Sequence, residues 1–205
     1  MDHVVVDVEI QKTIEETPGG WNATDKLGMA VACVWEYQTQ RMRVYGPDDV
    51  SALQNRLLKA DRISGYNIWN FDFPVIWEVD KPTWTTDRGA IGIEKHTHGL
   101  KAKLKPKCND ILRRIWHTLG LNPDKGPGGV KGTRLDDIAP ATIGVSKIGN
   151  GADAPVWYQA GLVQKVCNYC ADDVAIERDL ADFVDKYGYV IHNGQQLFLK
   201  EWTGA

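Results

Sequence analysis

The chain has 205 residues, 43% of them hydrophobic and 25% charged, with a net charge of −3. These are the proportions of one globular domain with a sizeable core, and they exclude a disordered chain. No apolar run reaches the length of a membrane span, and the N-terminus lacks the basic flank and cleavage site of a secretion signal. The expectation is therefore a soluble, cytoplasmic protein with no membrane partner.

Val4 to Ile10 is a β-branched run that predicts a strand, and the unbroken Val4-Val5-Val6 predicts a central one covered on both faces. Thr17-Pro18-Gly19-Gly20 marks a loop. Leu27 to Tyr37 and Arg41 to Tyr45, separated by a short polar turn, predict two antiparallel strands. Pro47-Asp48-Asp49 opens a helix to about Lys59, with Val50, Leu53, Leu57 and Leu58 on one face. Arg62 to Tyr66 is a short strand, followed by a helix from Phe71 to about Val79 that Asn70 is placed to cap, with Pro74 in its first turn.

Residues 80–105 are polar and carry Gly89, Gly92 and Gly99, which predicts an irregular insertion. Asp110 to Leu119 reads as a helix, Gly126-Pro127-Gly128-Gly129 as a flexible loop, and Thr133 to Ile143 as a helix capped by Thr133. After a break at Gly149-Asn150-Gly151, the longest helical pattern covers about Val163 to Lys186. Tyr189 to Leu199, with Asn193-Gly194 at its centre, predicts a hairpin. Strands first, then strands mixed with helices, give an α/β layer fold on a mixed sheet, without internal repeats.

Three acidic patches stand out against this frame. Asp7 and Glu9 alternate on one face of the first strand, where two adjacent carboxylates repel unless a cation lies between them or the strand is an edge facing water. Asp72, at the start of its helix, sits where open α/β sheets place ligands, or is an ordinary helix-stabilising acid. Val166, Tyr169, Ile176, Leu180, Phe183 and Tyr187 form the apolar stripe of the long helix, and Asp173 falls inside it. A carboxylate aimed at a core needs a partner, whereas its neighbour Asp172 belongs to the solvent face with Asp179, Asp182 and Asp185.

Two other features have competing readings. Lysines 95, 101, 103, 105 and 107, continuing to Arg113 and Arg114, form either a track for a phosphate backbone or a solvated loop and helix face. Cys167 and Cys170 form a CxxC inside a helical pattern, which favours reduced helix cysteines over a zinc site completed by His96 and His98.

The patches have the form Asp-x-Glu (Asp7, Glu9), Asn-x-x-x-Phe-Asp (Asn67, Phe71, Asp72) and Tyr-x-x-x-Asp (Tyr169, Asp173). In that order they resemble the three motifs of the tyrosine branch of the DEDD (DnaQ-like) 3′–5′ exonucleases. The wording Gly65-Tyr66-Asn67-Ile68 and Tyr169-Cys170, and the segment Leu135-Asp136-Asp137-Ile138-Ala139 with Ile143-Gly144 and Lys147, are similar to the exonuclease domain of family B DNA polymerases. The segment from Asp80 to Leu104 departs from that pattern, and no polymerase domain follows, so the expectation is a stand-alone relative.

The resemblance implies a ribonuclease H-like fold, a mixed central sheet flanked by helices. It also implies metal-dependent hydrolysis from the 3′ end of nucleic acid; the motifs do not decide DNA against RNA or single against double strand, and the expectation favours DNA with a single-stranded 3′ end. Asp7, Glu9, Asp72 and Asp173 would hold two divalent cations, Mg²⁺ or Mn²⁺, as hard ions suit oxygen donors. Tyr169 would orient the attacking water, because a phenol with a pKa near 10 is a poor base at neutral pH. Asn67, Phe71 and Trp69 would place the terminal nucleotide, unless Trp69 is simply buried. An RNA exonuclease, or a silent nucleic-acid-binding module on the same fold, are the alternative expectations.

Overall fold

The valine run folds as β1 (His3–Ile10), and it is central: the five-stranded sheet has the order β3-β2-β1-β4-β5. Here β2 is Met29–Glu36, β3 Arg41–Tyr45, β4 Arg62–Gly65 and β5 Cys108–Asp110. Pairs β1–β2 and β2–β3 are antiparallel, whereas β1–β4 and β4–β5 are parallel. The computed structural model describes residues 1–86, 91–125 and 129–201.

Both faces of β1 are buried, as a continuous β-branched run requires. Val4, Val6, Val8 and Ile10 join one core, filled by Leu53 and Leu57 of α2 (Val50–Lys59) and by Phe73 and Ile76 of α3 (Asp72–Ile76). The short α1 (Thr24–Leu27) contributes Leu27 to the same core. Val5 points the other way, into a core with Val31, Cys33, Val166, Cys170 and Val174. That second face is covered by the 25-residue α9 (Val163–Tyr187), which packs across β2, β1 and β4.

Residues 81–104 are not irregular where they are described: they form α4 (Lys81–Thr86) and α5 (Ile91–Leu104). Trp84, Leu100 and Leu104 are buried in the first core, and this anchoring overrides the weak amphipathic signal of a glycine-containing stretch. A third core lies between α6 (Ile111–Thr118), α7 (Leu135–Ile143), the second half of α9 and the hairpin β6 (Tyr189–His192)–β7 (Gln195–Phe198). The short α8 (Ala154–Gln159) packs against α9.

Two predicted caps are used differently. The Asn70 side chain accepts from Arg113 instead of capping α3, whose N-cap position, Phe71, carries no side-chain cap. The Thr133 hydroxyl donates to the Val130 carbonyl and accepts from the Trp116 indole, and α7 is capped by Asp137 accepting the Arg134 N–H. In α9 the buried stripe continues through Val174, Glu177, Ala181 and Val184, while Tyr187 is exposed and Phe183 half-buried. The glycines 126 and 128 and Pro127 lie outside the described residues. Among the described residues no helix is long and apolar enough to cross a membrane.

Candidate metal centre

The alternation of β1 puts Asp7 and Glu9 on the face of Val5, beneath α9, in a strand with no solvent edge to receive them. Almost three turns into α9, Asp173 points down at the same place and is 3% exposed. Carboxylate oxygens of Asp7, Glu9 and Asp173 all lie within 4.8 Å of one another. Asp172, next in sequence, is exposed, as the helical phase predicts.

Asp72 reaches the site by a different route. Strand β4 pairs with β1 only as far as Ser64↔Val5, so beyond Val5 the β4 side of β1 has no strand partner. The Asp72 carboxylate fills that gap, its Oδ1 accepting the Val8 N–H at 3.0 Å, between the two acids of β1. It is 2% exposed.

The loop that delivers Asp72 is held by Asp110, a buried residue read in the sequence only as the start of a helix. Its two oxygens accept from the Asn67 N–H (3.0 Å) and the Trp69 N–H (2.9 Å), and it also caps α6 by accepting the Arg113 N–H. Asn67 takes φ 69°, the left-handed conformation that asparagine tolerates better than most residues. Phe71 is half-buried, its ring 5.8 Å from that of the exposed Trp21. Trp69, expected beside the nucleotide, is 4% exposed and packs against Phe73 and Trp84 in the core.

Tyr169 lies one turn before Asp173 and is 5% exposed. Its hydroxyl is buried with no hydrogen-bond partner among the described residues. Trp157 packs edge-on against its ring, and the segment Gly149–Gly151 runs over it: a β-carbon on Gly149 would sit 3.4 Å from the ring. The same segment brings in Lys147, whose Nζ is 2.7 Å from Asp173 Oδ2 and 5.4 Å from the Tyr169 ring centre. Lys147 entered the sequence reading only as part of a family-like segment, because a lysine in a glycine-rich loop carries no periodicity that aims it inward.

The electrostatics match the crowding. Burial, then the charge of Asp173, pushes Asp7 up to about 7. Burial and Asp7 raise both Glu9 and Asp72 well above the carboxylate range. Asp173 is raised by burial, with Lys147 opposing. Burial alone would lower Lys147, but Asp173 and Asp7 outweigh it and hold the ammonium charged. Burial and Asp173 also raise the Tyr169 phenol, so it stays protonated at neutral pH.

Oδ2 of Asp7 and Oδ1 of Asp173 are buried without a hydrogen-bond partner of good geometry among the described residues. Buried acceptors left unpaired beside like charges are costly, and a cation shared among them removes both costs. The donors are all oxygens, which suits a hard divalent cation such as Mg²⁺ or Mn²⁺. The thiols do not form such a group. Among the described residues the metal-competent cluster contains no cysteine, Cys170 donates to the Asp7 carbonyl, and Cys33 to that of Cys167. The His96 side chain lies outside the described residues.

The basic residues divide between the two ends of the parallel strands. Lys105 and Lys107 precede β5, at the amino end of the parallel strands, whereas the acids gather at the carboxyl end. Lys107 donates to the Leu58 and Ala60 carbonyls at the end of α2. Arg113 is fully buried and bonds Asn70, the Pro123 carbonyl and Asp124.

No protein-family model matches the chain, and no curated protein matches it. Among solved structures it is similar to the family B DNA polymerase from the hyperthermophilic archaeon Pyrobaculum calidifontis, with a TM-score of 0.58 and 14% identity. The match covers 90% of this chain and 24% of that one, so the chain spans about a quarter of the polymerase's length. At this identity the likeness carries the fold: an α/β, ribonuclease H-like arrangement with a mixed five-stranded sheet flanked by helices.

Proposed function

We propose that the chain is a metal-dependent 3′–5′ exonuclease of the DEDD type, hydrolysing nucleic acid from single-stranded 3′ ends, DNA in preference to RNA. The observation that carries this reading is the convergence of Asp7, Glu9 and Asp173 oxygens within 4.8 Å in a largely buried site that contains one ammonium. Asp72, pinned to Val8 between the two β1 acids, supplies the fourth carboxylate. The preference for DNA is supported by the likeness to a DNA polymerase.

Two divalent cations held by Asp7, Glu9, Asp72 and Asp173 would supply a water of lowered pKa and charge stabilisation for the departing oxygen. The chain's own residues do the rest. Tyr169 keeps its proton and holds its hydroxyl inside the site beside Asp173 and Lys147, which fits it to orient a water by hydrogen bonding and not to remove a proton. Lys147 holds Asp173 in position in the absence of metal and brings positive charge to where a phosphodiester would sit. Asn67, whose N–H is held by Asp110, and Phe71 would face the terminal nucleotide, with the buried Trp69 supporting that loop from the core.

The test is digestion of end-labelled single-stranded DNA, duplex DNA and RNA side by side, with and without Mn²⁺. The expected result is metal-dependent release of mononucleotides from the 3′ end, fastest on single-stranded DNA and abolished in Asp173→Ala. Faster RNA digestion would move the substrate class to RNA. Nucleic-acid binding without cleavage in any arm would leave a silent binding module on this fold and overturn the proposal.

A further inference from the structure

Glu177 is a fifth acid in this region, and none of the three motifs contains it. It stands four residues after Asp173, one turn further along the same face of α9, and is 2% exposed. Its Oε2 is buried with no hydrogen-bond partner among the described residues. The charges acting on it are Asp7, Asp72 and Asp173, all of which repel it, and more weakly Lys147, whose ammonium is already bonded to Asp173.

The backbone is shaped to admit this side chain. α9 crosses β4 at Gly65, where an added β-carbon would lie 3.3 Å from Glu177 Oε2, 2.8 Å from the Val6 carbonyl and 2.4 Å from Ile68. Gly65 has no positive φ, so it is there for space and not for conformation. A glutamate in that space costs folding free energy that leucine or glutamine would not. A structural role would be met by a hydrogen bond or ion pair, and among the described residues Oε2 has neither.

Resting on the metal-dependent reading above, we infer that Glu177 belongs to the metal centre as an outer carboxylate that holds metal-bound water from beneath the Asp7–Asp72–Asp173 group. Like Asp72 it lies outside the set of oxygens within 4.8 Å of one another, but unlike Asp72 it belongs to none of the three motifs, and the link inferred for it is a bridging water. Mg²⁺ in particular retains several of its waters when bound, and each needs an acceptor. Glu177 supplies one that would otherwise be missing at the floor of the site. It is a positioning residue for the bound ion, and the loss of such an outer partner typically weakens metal affinity about 10- to 100-fold.

The experiment is direct Mn²⁺ titration of the full chain, monitored by the electron paramagnetic resonance of free Mn²⁺, on wild type, Glu177→Gln and Glu177→Leu. The melting temperature of each metal-free protein is measured alongside. The expected result is saturable Mn²⁺ binding by wild type, binding about 10- to 100-fold weaker in both variants, and metal-free melting temperatures equal to or above wild type. Equal Mn²⁺ affinity in wild type and Glu177→Gln overturns the inference while leaving the proposed function intact. A lowered metal-free melting temperature with unchanged affinity assigns Glu177 a structural role and also overturns it. Should the leucine variant not fold, the isosteric glutamine variant decides alone. Absence of Mn²⁺ binding by wild type overturns the proposed function, and this inference with it.

Discussion

Replacing Asp7 by asparagine should stabilise the metal-free protein, by an amount that grows with pH. In the folded chain, burial and Asp173 raise the Asp7 carboxyl from 3.8 to about 7. A carboxylate raised on folding is protonated in both states at low pH and costs nothing there. Between about pH 4 and 7 the unfolded chain has lost the proton and the folded chain has not, so stability falls across that window and stays low above it. Three pH units at about 1.4 kcal/mol each set an upper bound of roughly 4 kcal/mol for the cost at pH 8. Relaxation around the site reduces this, and a realised gain of about 2 kcal/mol corresponds to a rise of roughly 4–8 °C in melting temperature for a chain of this size. His3 complicates the wild-type curve alone: burial lowers it from 6.5 to about 4, so it adds stability as pH rises through that range. Because His3 is common to both proteins, it cancels in their difference, and Lys147, raised from 10.5, contributes no slope below about pH 10. The assay is thermal unfolding of wild type and Asp7→Asn at pH 4, 6 and 8 in chelator, then with Mn²⁺ in excess. The variant should match wild type at pH 4 and exceed it at pH 8, and Mn²⁺ should raise wild type alone. A variant less stable than wild type at pH 8, or a difference independent of pH, would refute the argument that Asp7 is a strained carboxylate awaiting a cation.

Tyr169→Phe should change the metal-free melting temperature little and keep the Mn²⁺-induced rise, because the hydroxyl it removes makes no hydrogen bond of good geometry among the described residues, while nuclease turnover falls about 100-fold or more. Unchanged turnover would remove the water-orienting role. Gly65→Ala should lower stability by about 2–4 kcal/mol in urea unfolding, since the new β-carbon would meet Ile68 and the Val6 carbonyl at sub-contact distances. A neutral effect would show that α9 and β4 can separate there freely. Asp110→Ala should cost about 3–5 kcal/mol, as it strands the buried N–H groups of Asn67 and Trp69 and uncaps α6 beside the buried Arg113. Mn²⁺ affinity should fall with it, through loss of the loop that carries Asp72, and an unaltered affinity would separate the clamp from the site.

What was legible in the sequence is what local periodicity encodes. The valine run placed β1 at the centre, and a period of two put Asp7 and Glu9 together. The 3.6-residue phase of α9 separated Asp173 from Asp172. Asn193-Gly194 marked its hairpin because that dipeptide accepts the left-handed backbone seen there, with φ of 50° and 76°. What was illegible depends on contacts between distant segments. Asp110 and Asn67 are 43 residues apart and are joined only because β5 lies beside β4. Glu177 shares the helical phase of Asp173, four residues on, but belongs to none of the three motifs, and its burial shows only in the packing against Gly65. Residues 81–104 disguised two helices behind glycines and charges, since three buried anchors, Trp84, Leu100 and Leu104, suffice to fix them. Trp69 had two readings in the sequence, nucleotide contact or core, and it packs in the core beneath the loop.

These misses and successes have a common cause in how the sheet ends. β4 stops at Gly65 while β1 continues to Ile10, and that stagger leaves the Val8 N–H without a strand partner. A carboxylate is the natural occupant of the gap, since it accepts the exposed donor and adds charge next to Asp7 and Glu9. The same early stop forces the chain to turn at Asn67, and the turn needs Asp110 to satisfy its N–H groups. The absence of a side chain at Gly65 then lets α9 approach closely enough for Asp173 and Glu177 to reach the same place. Backbone geometry therefore explains why acids from β1 and α9 meet at one point, with Asp72 of α3 held on the Val8 N–H beside them. It does not explain why they are tolerated, since each is held above its ordinary pKa by burial. A fold selected only for stability would replace them with apolar residues of similar volume. Their joint presence is the strongest physical reason to expect cations here, because two divalent charges offset what a single lysine cannot.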